Sequence, residues 1–263
     1  MSLTATYDAA LSRVRLTATG LAGSPAWAVI ARSTDLAQWT VVRGGASVPV
    51  SAGTVALDDY EFVNGQTNHY RVTALNGAFA IVDEETATVL PELAQVWLKS
   101  ISRPYLNRPV VVQDYSEVQR PARASAFQVV GRTLPVAVTD VAGSRRWTLD
   151  LLTDTLADAA TLDFILAAGD IMFVHAPAWS GVPGGYVIVG DTTQRRTARR
   201  TTRRITSLPC TEVATPGPDV VGATVTWADV TTTYSTWALV GSAHPTWADL
   251  LQLVGDPEDV IVP

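Results

Sequence analysis

Cysteine and lysine are almost missing from this chain: Cys210 and Lys99 are the only examples among 263 residues. A lone cysteine excludes an intramolecular disulfide framework, and with it the stapled scaffolds of small secreted domains. Long apolar runs are missing too. No stretch approaches the roughly 20 residues that a membrane-spanning helix needs, so no membrane partner is expected. Residues 1–20 hold no apolar run of signal-peptide length, so export by that route is not expected. Histidine is sparse, and His69, His175 and His244 stand far apart. A zinc site needs three or four convergent ligands, and no spacing here supplies them. Asp58-Asp59-Glu61 and Asp83-Glu84-Glu85 lack the ligand order of a calcium loop and read as solvated turns and strand ends. Cys210, next to Pro209, has no nucleophile-elbow context and reads as buried packing. There is no phosphate-cradling glycine loop and no βαβ alternation. The expectation is a non-enzymatic protein with no metal or other cofactor.

What is present is repetition at the C-terminal end. Thr226-Trp227-Ala228-Asp229, Thr236-Trp237-Ala238-Leu239 and Thr246-Trp247-Ala248-Asp249 recur at ten-residue spacing. Each unit has a threonine that can cap a short helix, and two carry an aspartate three residues on. Ten residues are too few to bury an indole alone, so the rings must stack on one another or on another surface. Trp227, Trp237 and Trp247, with Tyr234, are therefore candidate interface anchors, since tryptophan is enriched at binding hot spots. Stacking on cell-surface sugars is the competing use. The Pro/Gly-rich stretch 213–223 before them reads as a linker that lets the anchor reach beyond its own domain.

The net charge of −6 is uneven. Residues 1–94 carry 5 basic and 9 acidic groups, 95–215 carry 14 and 10, and 216–263 carry 6 acidic groups and no basic one. An acidic tail behind a basic domain points to contact between the two, within or between subunits. Six arginines fall in ten residues at Arg195, Arg196, Arg199, Arg200, Arg203 and Arg204. Adjacent basic pairs point to both faces of a strand, which suits a projecting hairpin or loop. Without interleaved aromatics, and in an acidic protein, inter-subunit salt bridging is favoured over DNA contact.

Residues 1–92 show period-two alternation broken by turn residues, the pattern of short antiparallel strands. Arg13 to Ala18, Trp27 to Arg32 and Trp39 to Val42 alternate, and later runs cover 53–57, 68–75 and 79–89. Asn76-Gly77 reads as the last hairpin turn. The run Asp59-Tyr60-Glu61-Phe62-Val63-Asn64-Gly65-Gln66-Thr67-Asn68-His69-Tyr70-Arg71-Val72-Thr73-Ala74 resembles the penultimate-strand signature of fibronectin type III domains. Trp27 then takes the buried third-strand position, and Asn68 stands where the family's corner tyrosine would be. Trp39 is expected to pack between strands.

After a linker beginning at Pro91-Glu92-Leu93-Ala94, residues 93–215 read as strands at 96–99, 110–113, 127–130, 136–139 and 145–151. A helix follows over about 155–168, capped by Thr153 or Thr155 and stopped at Gly169. Strands resume at 171–174, 186–189 and 205–213. This order predicts an antiparallel α+β domain, a sandwich or split barrel with one helix covering an open edge. Arg132-Thr133-Leu134-Pro135-Val136-Ala137-Val138, Gly143-Ser144-Arg145-Arg146-Trp147-Thr148-Leu149, Gly169-Asp170 and Gly185-Tyr186-Val187-Ile188-Val189-Gly190-Asp191 together resemble minor tail proteins of long-tailed (siphovirus-type) actinobacteriophages, as do the Thr-Trp-Ala-Asp repeats. That resemblance implies a tail-tube fold, as in the distal tail protein that joins tail tube to tail tip.

The expected fold class is therefore mainly β: a fibronectin III-like sandwich (1–92), a tail-tube-like domain (93–215), and a linker with a short helical, acidic Trp-repeat tail (216–263). The expected function is a structural virion protein of the distal tail or baseplate, made in the host cytoplasm. The resemblance implies a homo-oligomeric ring, hexameric in that group, with tail tube, tape measure and tail-tip hub as neighbours and a host cell-surface glycan as a further partner. The alternative from the same residues is a carbohydrate-binding accessory module of a secreted enzyme.

Overall fold

The computed structural model describes residues 2–218, 234 and 236–243. The protein is mainly β, with several sheets and, among the described residues, two α-helices.

The N-terminal region builds two facing sheets. One has the order β1 (Ser2–Asp8), β2 (Arg13–Thr19), β6 (Val55–Asp59). The other runs β4 (Thr40–Val41), β3 (Trp27–Ser33), β7 (Asn68–Leu75), β8 (Ile81–Val89), with the short β5 (Val48–Pro49) also on β3. Alternation aims one side of each strand inward. Val14, Leu16 and Ala18 of β2 meet Ala28 and Ile30 of β3, and Tyr70, Val72 and Ala74 of β7, in one core. The same period places Trp27 on the outside, 38% exposed, opposite Pro49 and Leu75. The expectation of a buried Trp27 is thus corrected: the strand is where alternation put it, and its inward phase starts at Ala28. Trp39 is half-buried, and the guanidinium of Arg71 lies over its ring at 4.4 Å. Asn68 is fully buried. It accepts from the Val63 N–H at 2.9 Å and donates to the carbonyls of Val63 and Gln66, both at 2.8 Å. A single amide closes this corner.

The second region is a closed barrel of six antiparallel strands. Its order is β13 (Arg146–Thr153), β10 (Arg108–Tyr115), β9 (Val96–Ser100), β14 (Met172–His175), β15 (Gly185–Val189), β17 (Arg204–Glu212), and β17 pairs back onto β13. Eight consecutive pairs from Arg146↔Thr211 to Thr153↔Arg204 make that closure. A sandwich or split barrel with one helix covering an open edge was expected; closure leaves no such edge for a helix to cover. Helix α1 (Leu156–Ala167) instead inserts Leu162 and Ile165 into the barrel core beside Leu149, Leu151 and Leu208. The Thr155 hydroxyl caps the helix: it accepts from the Asp158 N–H at 3.0 Å and donates to the Asp158 carboxylate at 2.7 Å. Gly169, at φ 69°, ends the helix in the left-handed region.

Two hairpins adjoin the barrel, one along its wall and one leaving it. β16 (Thr193–Arg196) pairs with the first residues of β17. A longer arm, between β10 and β13, contains β11 (Ala124–Phe127) and β12 (Val136–Thr139). A short helix α2 (Trp237–Ala243) lies in the repeat region, with Val240 buried.

Candidate functional site

Strand β9 is buried on both faces, and this fixes how the two regions meet. Val96 and Leu98 point into the barrel core, whereas Trp97 joins the N-terminal core together with Leu93. The expected linker at 91–94 is short and held down: Pro91 accepts from the Gly65 N–H at 2.9 Å, and Leu93 donates to the Asn64 side chain at 2.6 Å.

On the same face as Trp97 lies Lys99, 1% exposed. Its Nζ reaches the carbonyl oxygens of Ser12 at 2.8 Å and Tyr60 at 2.7 Å, and Nδ1 of His175 at 3.0 Å, with the Phe62 ring 4.8 Å away. Burial pushes the Lys99 amine down to about 7. Burial, then the charges of Lys99 and Arg32, hold His175 far below the usual imidazole range. A neutral His175 accepts from the ammonium, so all three donors of Lys99 have partners.

Carboxylates surround this lysine. Asp59, 2% exposed, takes Arg32 at 2.6 Å and the Tyr70 hydroxyl at 2.8 Å. Glu61 takes Arg43 and the Tyr186 hydroxyl. Burial first, and then Glu61, raise the Tyr186 phenol. The acidic run 58–61 is therefore no solvated turn; Arg13, Arg32 and Arg43 neutralise it at the junction. A cleft of about 240 Å³ opens beside it, lined among others by Arg43, Glu61, Lys99 and Ser102. These acids and bases are paired with one another at the meeting of the two regions, and together they form a polar lock. Among the described residues no His, Cys, Asp and Glu side chains converge as a metal site. Cys210 is buried in β17, its thiol pushed up to about 12 by burial.

The arginine cluster forms the β16–β17 hairpin, but the projecting form expected from its paired charges is not what is found: β16 pairs with Arg204–Ser207, which also pair with β13 in the barrel wall. Arg195 lies 3.5 Å from Asp150, and Arg203 lies 2.8 Å from Asp154. Arg204 donates to the carbonyls of Thr201, Thr202 and Arg203. Arg196, Arg199 and Arg200 are exposed and make no ion pair among the described residues.

The arm is the larger surface. From Gln113 to Ala142 no side chain is buried. Phe127 (57%), Val130 (103%), Leu134 (78%) and Val141 (78%) face solvent. Cross-strand pairs carry the ladder from Gln119↔Arg146 to Phe127↔Val136, a reach on the order of 30 Å at strand spacing. Phe127, Val136 and Val138 share one face, while Ala126, Ala137 and Thr139 share the other.

Of the aromatic anchors, Trp237 starts α2 and is 63% exposed, and Tyr234 is half-buried. Trp227, Trp247 and His244 lie outside the described residues. The first part of the linker is docked: Arg43 donates to the Gly217 carbonyl at 2.6 Å, and the Gly44 N–H donates to that of Pro218 at 3.1 Å. Sequence reasoning missed the Lys99 junction and the bareness of the arm. The signal for the first was present, since the only lysine stands in an apolar strand, in phase with Trp97. No protein-family model matches the chain, and no curated protein matches it either. Among the described residues no helix is long and apolar enough to cross a membrane.

Proposed function

We propose that this chain is a structural component of a phage tail, a distal tail or baseplate subunit that assembles into a ring between tail tube and tail tip. The observation that carries the reading is the bare apolar arm on a closed barrel. An isolated two-stranded hairpin is at best marginally stable in water, and large exposed apolar patches mark interaction sites. A barrel with one helix and a projecting hairpin supports the tail-tube-like reading of residues 93–215. The N-terminal sheets, β1-β2-β6 against β4-β3-β7-β8, support the fibronectin type III reading of residues 1–92. In this reading that domain is held rigidly on the barrel by β9 and Lys99, so its outer face has a fixed direction relative to the ring. Arg196, Arg199 and Arg200 supply cationic contacts to neighbouring tail proteins, and Trp237 an aromatic one.

Antibody labelling of intact particles tests it. Gold-tagged antibody against the chain is expected at the end of the tail away from the head, with the chain's peptides found in the purified particles. Particles free of the chain refute the reading. A glycan-binding module is the second reading, favoured by the bare indole of Trp179, 73% exposed in the turn between β14 and β15. Retention on host cell-wall polysaccharide, lost in Trp179→Ala, is its signature.

A further inference from the structure

We propose that the tip of the arm seats in a groove on the barrel of a second copy of this chain, in a head-to-tail contact. The inference deepens the assembly reading above and rests on it.

The first argument is area. The exposed apolar side chains of the arm present on the order of 800 Å², about what each partner buries in a standard-size protein interface. The second is the presence of a receiving site. A groove of about 180 Å³ lies where β10 and β13 approach the start of α1. Pro109, Val111 and Leu152 line its apolar side, and Asp154 and Asp158 its acidic side. Val111 is 59% exposed there. The third is charge. Arg132 sits at the tip between Val130 and Leu134, exposed and without an ion pair among the described residues. Asp154 is held by Arg203 at 2.8 Å, whereas Asp158 takes the Thr155 hydroxyl at 2.7 Å and leaves Arg108 at a loose 3.8 Å.

Direction follows from register. In the β10–β13 ladder, Val111 pairs with Leu152 at one end and Tyr115 with Leu149 toward the other. The groove opens at the first end, and the arm leaves from the second, past Gln119↔Arg146. An arm pointing away from its own groove cannot fill it without giving up its ladder. A neighbour's arm can. One surface then binds a different surface on the next copy, the kind of contact that closes into a ring when the rotation permits. Seated this way, Val130 and Leu134 cover the Val111–Leu152 side, and Arg132 meets the two aspartates.

Cross-linking of the full-length protein tests this. Leu134→Cys and Val111→Cys are made as separate proteins, since the native Cys210 is buried. Mixed and treated with a short bis-maleimide, they are expected to give a covalent dimer at least tenfold more abundant than either variant gives alone. Phe79→Cys, exposed on the N-terminal domain, replaces Val111→Cys as the control. No dimer in the mixture, or an equal yield with the control, overturns the contact. Leu134→Asp is expected to lower the assembled fraction at least tenfold with an unchanged melting temperature; unchanged assembly also overturns it. If the chain is found in tail particles but the mixture gives no link, the arm contact is wrong and the tail reading stands. If the link forms but particles lack the chain, the tail reading is wrong and the contact stands.

Discussion

Lys99 and His175 give the junction a pH signature with a defined sign. The folded-state lysine is depressed to about 7, so between that value and about 10.5 the unfolded chain binds a proton that the folded chain does not. Stability from this group therefore rises with pH across that window and is flat below it. His175 is depressed as well, so stability falls as pH drops below about 6.5, by up to about 1.4 kcal/mol per pH unit. Asp59, Glu61, Tyr60, Tyr186, Arg32 and Arg43 face the same centre, so the test is a difference measurement. Melting curves of wild type and Lys99→Met from pH 6 to 10 are expected to diverge with pH; a constant gap contradicts the account. His175→Asn, which keeps an acceptor, is expected to flatten the acid limb alone. At the other end of the sandwich, Asn68→Ala strips three hydrogen bonds from a fully buried corner. It is expected to destabilise by about 2–3 kcal/mol in denaturant titration. That Asn68 opens a strand was readable in the sequence. Its hydrogen bonding was not, because the amide's three partners are backbone groups brought together only by the turn.

Helix α1 was legible to within a residue because capping threonine, apolar spacing and terminal glycine agree. Thr155→Ala is expected to cost about 1 kcal/mol, read as a lower unfolding midpoint. β7 and β12 were equally plain, since alternation and turn residues coincide. Other elements were hidden for physical reasons. β16 lies inside the arginine run, where no apolar period marks a strand; its pairing is backbone hydrogen bonding to β17. β1, Ser-Leu-Thr-Ala-Thr-Tyr-Asp, alternates small residues too weakly to stand out. For the β16–β17 hairpin, Arg199→Glu with Arg200→Glu is expected to leave stability within about 0.5 kcal/mol, because both side chains are exposed and make no ion pair within the described residues. A loss of several kcal/mol would show instead that these arginines support the fold.

Barrel closure and the domain lock belong to the whole molecule, and neither could be read from local pattern. Closure joins residues 146–153 to 204–212, and periodicity carries no information about which strands meet across such distance. The lock depends on β9 facing two cores at once, so a fully buried five-residue strand is what two-sided packing requires. The resulting molecule carries an uncovered apolar arm, and the account's central claim is that this arm exists to meet other copies. Light scattering of the purified full-length chain over a wide concentration range, followed by electron microscopy of the heaviest species, tests that claim most directly. The account predicts masses at integer multiples of 28.0 kDa and closed rings of one symmetry. A chain that stays at its monomer mass throughout, with the arm slow to exchange its amide hydrogens, would contradict it.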